Sequence, residues 1–221
     1  ALDGVITESL AYSTLQGGPE FARWLDDRGP GRPVEIPDPV VARRIGDTLE
    51  VRFNRPQRHN AFSTDARAAL LEALTVALVD PGVDRLVLAG YGESFCSGGD
   101  LAEFGTLADP ASGHLARTRH SPALALDALR QRLGANCRAE VHGQVLGSGL
   151  EMAAYCGHVA CHPAATLGLP ELTLGLIPGA GGTVSITRRI GRWRMAYLVL
   201  SGRTITPTTA LDWGLVDSLT E

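Results

Sequence analysis

HGQVLGSGLEMAAYC, residues 142–156, places three glycines in seven positions directly ahead of an apolar run with helical content. Glycine lets the backbone approach a ligand closely. A helix start adds unpaired N–H groups and a dipole that favours negative charge. Glu151 follows Ser148 by three residues, so on a helix beginning there the two face one side, a turn apart. A backbone donor and a carboxylate would then converge. Taken alone, the glycines also fit an ordinary turn and Glu151 an ordinary helix acid.

Two further loops share this texture: Ser97-Gly98-Gly99-Asp100 upstream and Gly179-Ala180-Gly181-Gly182-Thr183 downstream. Each is a candidate anion or oxyanion site. Glu171, in Leu169-Pro170-Glu171-Leu172, is a second acid in a largely apolar stretch. Burial there would raise its pKa and suit it to proton transfer near neutral pH. None of the loops matches a dinucleotide fingerprint or a P-loop, which argues against nucleotide hydrolysis.

Around these loops, short strands alternate with helices. Val40–Ile45 and Leu49–Phe53 read as a hairpin about Gly46-Asp47-Thr48. From Ser63, apolar residues at three- and four-residue steps give an amphipathic helix. Arg85–Ala89, Ala139–His142 and His158–Cys161 are strand-like. Helices are expected near 122–133, 150–155, 183–190, 193–200 and 208–213, the last opened by Thr206-Pro207 and closed by Gly214. The segment 103–121 reads as irregular. The result is α/β character.

Residues 1–38 differ in texture. A short helix at Pro19–Arg28 precedes a Pro/Gly-dense stretch, so 1–38 reads as an extension and linker, and 39–221 as the main domain.

The composition narrows the function. A 221-residue chain that is 44% apolar can bury a sizeable core, and a net charge of −4 without a basic stripe disfavours nucleic acid. All 20 basic residues are Arg, so lysine chemistry is excluded and an anionic ligand must be held by guanidinium groups or backbone amides. No apolar run approaches the roughly 20 residues that span a bilayer. Four cysteines without CxxC pairs suggest reduced thiols, and a soluble, cytoplasmic protein is expected. The histidines form no HxxxH pair, so no metal is expected, and Cys96 reads as a small core residue.

Taken together, several motifs resemble the enoyl-CoA hydratase/isomerase, or crotonase, family in order and spacing. They are Asn54-Arg55-Pro56 with Asn60-Ala61, then Ser94 to Leu101, the 142–156 block, and Leu169-Pro170-Glu171 running into Gly175 to Thr183. The match covers roughly Val40 to Leu219. The resemblance implies a crotonase-like spiral of repeated ββα units and an acyl-CoA thioester substrate, with no separate cofactor because coenzyme A is part of the substrate. It implies an oxyanion hole from the backbone N–H groups of Gly99 and Ser148. Glu151 and Glu171 match both hydratase acids, which implies hydration of a 2-enoyl-CoA. A double-bond isomerase or other crotonase-type acyl-CoA enzyme, and a catalytically silent acyl-CoA-binding or scaffold protein, stay open beside it.

By the same resemblance the CoA arm runs past Gln57, Arg58 and His59 and along Gly99, Asp100, Leu101 and Ala102, with Arg58 near a phosphate. A homotrimer or dimer of trimers is implied. The sequence departs from the family in three ways. Ser148 stands where many members have glycine, the helices that usually follow Gly214-Leu215-Val216-Asp217 are missing or short, and residues 1–38 are longer than usual. The extension is expected to cover the pocket or contact a neighbour.

Overall fold

The computed structural model describes residues 1–107 and 109–220. Ala108, inside the 103–121 segment, and Glu221, at the end of the 39–221 span, lie outside the described residues. In chain order the elements are α1 (Leu2–Gln16), α2 (Pro19–Arg28), β1 (Val40–Ile45), β2 (Thr48–Phe53), α3 (Thr64–Val79), β3 (Arg85–Gly90), α4 (Pro110–Arg119), α5 (Pro122–Leu133), β4 (Cys137–Val141), β5 (Gln144–Leu146), α6 (Ser148–Ala153), β6 (His158–Cys161), β7 (Thr166–Gly168), α7 (Gly182–Ser201), α8 (Pro207–Trp213) and β8 (Ser218–Leu219).

The hairpin β1/β2 opens a six-stranded sheet of order β1-β2-β3-β4-β6-β8, parallel from β2 onward. β5 and β7 pair in a second, two-stranded parallel sheet. Strands adjacent in sequence, β4/β5 and β6/β7, thus divide between the sheets, and each pair leads into a helix. This is the ββα spiral, and it delivers the starts of α6 and α7 to one side of the small sheet.

Local sequence accounts for most elements. In β2 the alternation turns Leu49, Val51 and Phe53 inward. α3 is capped by Ser63, whose Oγ accepts from Ala66 N at 3.1 Å, and it buries Ala66, Leu70, Ala73, Leu74 and Ala77. Each fully buried leucine of this core contributes roughly 2 kcal/mol. Within α7 the backbone is non-helical at Gly191 (φ 76°, ψ 163°), which separates the two helices read at 183–190 and 193–200.

The sequence reading did not include the short strands β5, β7 and β8, and it did not include two helices. Residues 110–119 form a helix where an irregular segment was expected. Asp109 caps it and Pro110 opens it, but the residues it buries are Gly113 and Arg117, so no apolar stripe announced it. α1 is also absent from the sequence reading for the same reason: of its buried positions Val5, Glu8, Ser9 and Tyr12, two are polar.

α1 packs against α4 and α7, and α2 against the 3-10 turn Glu171–Leu174. Tyr12, Phe21 and Leu176 form a second small core with Trp24 and Phe104 packed on it. Residues 1–28 therefore lie on the turns that follow Pro170 and Asp100. Among the described residues no helix is long and apolar enough to cross a membrane.

Candidate active site

The three glycine-rich loops meet. Cys96 N donates to Gln144 O at 3.1 Å and Leu146 N to Cys96 O at 3.0 Å, which joins the 96–99 loop to β5. On the other flank Phe62 N donates to Gly98 O (2.7 Å) and Asp100 N to Phe62 O (3.0 Å). This lacing uses the Gly98 carbonyl and the Asp100 N–H and spares the Gly99 N–H. Among the described residues neither Gly99 N–H nor Ser148 N–H reaches an acceptor. Both residues line one cavity of about 270 Å³, together with Glu151 and Glu171.

Glu151 sits in the first turn of α6 and is 1% exposed. Its Oε2 accepts from Ala180 N (2.7 Å) and Gly182 N (2.8 Å) at the start of α7. A Cβ at position 182 would lie 2.5 Å from Glu151 Cγ, so only glycine admits this approach. Burial drives the Glu151 carboxyl well above the usual carboxylate range, and the charges of Glu8 and Glu171 add to the shift.

Glu171 opens the 3-10 turn after Pro170. Its Oε1 lies against Gly147, where an added Cβ would come within 2.6 Å, and Gly147 holds φ 47°, a left-handed conformation. Its Oε2 is buried without a hydrogen-bond partner. Burial raises the Glu171 carboxyl to about 7, and Glu8 contributes. The cavity thus holds two carboxyl groups shifted toward neutrality and two uncommitted backbone donors. Such a set can exchange protons with a bound molecule while stabilising negative charge on an oxygen.

The expected CoA-arm residues are arranged differently. Of these, Gly99 and Leu101 line the cavity, whereas Gln57, Arg58, His59, Asp100 and Ala102 do not. Gln57 and Arg58 lie in the exposed 3-10 turn Pro56–Arg58, which His59 caps, beside the 96–99 loop and joined to it through Ser97 N→His59 O at 3.0 Å. Asp100 points inward. Its Oδ2 pairs with Arg55 Nη2 at 2.8 Å with both side chains almost fully buried, its Oδ1 takes Arg58 Nη2 at 3.3 Å, and Ala102 N donates to Oδ1 at 3.1 Å.

The Cys96 thiol is fully buried and pushed by that burial up to about 12, which suits a core residue and not a nucleophile. No group of three or more His, Cys, Asp or Glu is placed to hold a metal among the described residues.

The sequence reading missed Glu8, Tyr12, Arg67 and Arg117. Glu8 Oε1 accepts from Gly181 N (2.6 Å), and its Oε2 from Thr183 N (2.8 Å) and Thr183 Oγ1 (2.6 Å). Tyr12, Arg67 and Arg117 line the cavity itself. No sequence signal marked them, because α1 and α4 carry no periodic apolar face and Arg67 sits on the flank of an otherwise ordinary helix.

The family model described as enoyl-CoA hydratase/isomerase matches residues 45–220. The chain is 34% identical over 180 residues to the 2,3-dehydroadipyl-CoA hydratase of Escherichia coli K12, covering 81% of this chain and 68% of that protein. It is 38% identical over 163 residues to the peroxisomal bifunctional enzyme of Danio rerio, covering 73% of this chain and 21% of the other. The crystal structure of an enoyl-CoA hydratase subunit from Geobacillus kaustophilus superimposes with a TM-score of 0.72 at 29% identity, covering 82% of this chain and 68% of that one. The chain therefore spans about two thirds or less of the length of these relatives. A family model that runs from the end of β1 through β8, joined to the same spiral seen in solved relatives, places the chain in the enoyl-CoA hydratase/isomerase (crotonase) family.

Proposed function

We propose that the protein adds water across the double bond of a 2-enoyl-CoA thioester. The observation that carries this reading is the meeting of Glu151, Glu171 and the free N–H groups of Gly99 and Ser148 in one cavity. The thioester carbonyl lies between the two N–H groups, which hold the enolate-like charge that develops on its oxygen. Each such donor contributes about 3 kcal/mol. Water held between the carboxyls bonds through oxygen to Cβ and gives a proton to Glu151, while Glu171 delivers a proton to Cα. Passage of one proton from Glu151 back to Glu171 resets the pair. Relatives named as hydratases support the reaction type.

The exposed turn of Gln57, Arg58 and His59 and the Gly99–Ala102 segment carry the CoA arm in this reading. Residues 39–221 form the catalytic domain, and residues 1–38 cover its pocket.

A second reading, double-bond isomerisation, is favoured by one asymmetry: Glu151 spends an oxygen on two amides whereas Glu171 Oε2 is uncommitted. An isomerase needs one acid that shuttles a proton between carbons. The test is loss of enoyl-thioester absorbance on mixing with crotonyl-CoA. Hydration requires that Glu151→Gln and Glu171→Gln each abolish the loss, by a factor of about 10² or more. Isomerisation of a 3-enoyl-CoA that survives Glu151→Gln would replace the hydratase reading.

A further inference from the structure

Two guanidinium groups in the cavity have no carboxylate partner. Arg117, on α4, is 8% exposed. Its donors go to Ser9 Oγ (3.1 Å), Gln16 Oε1 (3.1 Å) and Ser13 Oγ (2.5 Å), all uncharged, and its Cζ lies 4.3 Å from the centroid of the Tyr12 ring. Arg67, on α3, is partly buried; its guanidinium makes no hydrogen bond and no ion pair among the described residues, and its Cζ lies 5.7 Å from the Phe62 ring centroid. The two are close enough that Arg67's charge, after burial, helps lower Arg117 to about 10.

Positive charge held wholly or partly out of water, as on Arg117 and Arg67, is costly unless an anion faces it. Arg117 has a structural task, since it holds α1 to α4. Arg67 has none. Glu103, the acid on the cavity rim that acts most on Arg67, spends its Oε2 on Thr64 N (2.8 Å) and Thr64 Oγ1 (2.9 Å). Glu151 also acts on Arg67 but forms no ion pair with it.

We propose that the acyl group taken by this cavity ends in a carboxylate, bound by Arg67 with Arg117 behind it. The inference rests on the acyl-CoA reading above and adds the substrate class: a dicarboxylic acid esterified to CoA at one end. The planar guanidinium fork suits a carboxylate, which would supply the missing counter-charge to both groups. The competing occupant is a long neutral chain. A second cavity of about 540 Å³, walled by Leu71, Ala116 and the same two arginines, adjoins the first and could take it.

The test measures binding, so it does not depend on turnover. Calorimetric titration of the full chain with adipyl-CoA, hexanoyl-CoA and decanoyl-CoA compares a diacid ester with neutral esters of equal and greater length. The expected result is adipyl-CoA binding roughly tenfold or more tighter than hexanoyl-CoA, with Arg67→Met erasing the preference and Arg67→Lys keeping part of it. Equal binding, tighter binding of decanoyl-CoA, or a preference untouched by Arg67→Met overturns the proposal. Tight adipyl-CoA binding without hydration of its 2-enoyl form would overturn the hydratase reading and leave the carboxylate site standing. Hydration of 2-hexenoyl-CoA without a diacid preference would do the reverse.

Discussion

Glu8 and Glu151 interleave on a single turn of backbone: Glu151 Oε2 takes the amides of Ala180 and Gly182, and Glu8 takes those of Gly181 and Thr183. One acid arrives from α1 and the other from α6, and together they bind four consecutive N–H groups that open α7. The two are also electrically linked, since Glu8's charge raises Glu151 and Glu171. Glu8→Ala leaves two amides and the Thr183 hydroxyl without acceptors at a buried helix start. The expected cost is about 2–4 kcal/mol in denaturant unfolding. Glu8→Gln keeps the volume and removes the charge, so it is expected to lower the Glu171 carboxyl and move the alkaline limb of the pH–rate profile to lower pH. A purely structural Glu8 would change stability and leave the limb in place.

In the proposed reaction Glu171 sets that limb. The proposed hydration draws on its proton, so kcat/KM is expected to fall by about tenfold per pH unit above the value of about 7 given by its burial. Stability follows the same titration. The folded state binds this proton more tightly than the unfolded chain does, so the stabilisation is full below the ordinary value of 4.5 and is lost as pH rises through about 7. Glu171→Gln removes the loss. Its stability relative to wild type is expected to grow across that window, by on the order of 3 kcal/mol. Thermal melts at the two ends of the window measure it, and a constant difference would contradict a raised Glu171.

Gly147 tests whether the Glu171 carboxylate is placed by contact. Gly147→Ala adds a methyl that meets Glu171 Oε1 at 2.6 Å and strains a residue at φ 47°. Gly46→Ala, in the β1/β2 turn, carries similar strain at φ 60° with nothing within 4 Å. Both are expected to lose about 1 kcal/mol or more of stability. Only Gly147→Ala is expected to lose activity, by about tenfold or more in kcat. Equal activity in the two variants would show that Glu171 adapts.

Five strands of the large sheet, β1 to β4 and β6, and the starts of α6 and α7 were legible because they obey rules that act within a few residues. Leu49, Val51 and Phe53 alternate, Ser63 caps, Thr206-Pro207 opens and Gly214 closes. Glu151 was legible for the same reason, being one helical turn from Ser148. Glu8 and Arg117 were not. They are buried through hydrogen bonds to groups more than 100 residues away, as in Arg117 Nε to Ser9 Oγ, and polar burial of that kind leaves no hydrophobic periodicity. Asp100 was legible as a loop residue, but its inward turn depends on Arg55, a partner 45 positions distant.

That inward turn has its own consequence. Asp100 and Arg55 form an ion pair at 2.8 Å with exposures of 1% and 2%, one residue from the Gly99 amide. Asp100→Asn leaves Arg55 buried without a counter-charge, at an expected cost of about 3–5 kcal/mol. Should the variant stay folded, loosening beside Gly99 is expected to lower kcat more than it raises KM. Stopped-flow assays with urea unfolding separate the two effects, and an unaltered kcat would mean that the Gly99 amide is held by Phe62 alone.

Ser148 separates what its backbone does from what its side chain does. Its hydroxyl lies buried beside the Cys96 thiol without a well-formed hydrogen bond, so it carries a desolvation cost with no return. Its N–H, by contrast, has no acceptor among the described residues and belongs to the main chain, which no ordinary substitution removes. Ser148→Ala is therefore expected to raise stability by about 1 kcal/mol and leave kcat for crotonyl-CoA within about a factor of 3, because the donor proposed to hold the thioester oxygen survives. Unfolding midpoints and initial rates measured on one preparation decide it. A fall in kcat of tenfold or more would move the oxyanion contact from the amide to the hydroxyl, and would make Ser148 a side-chain participant in the reaction.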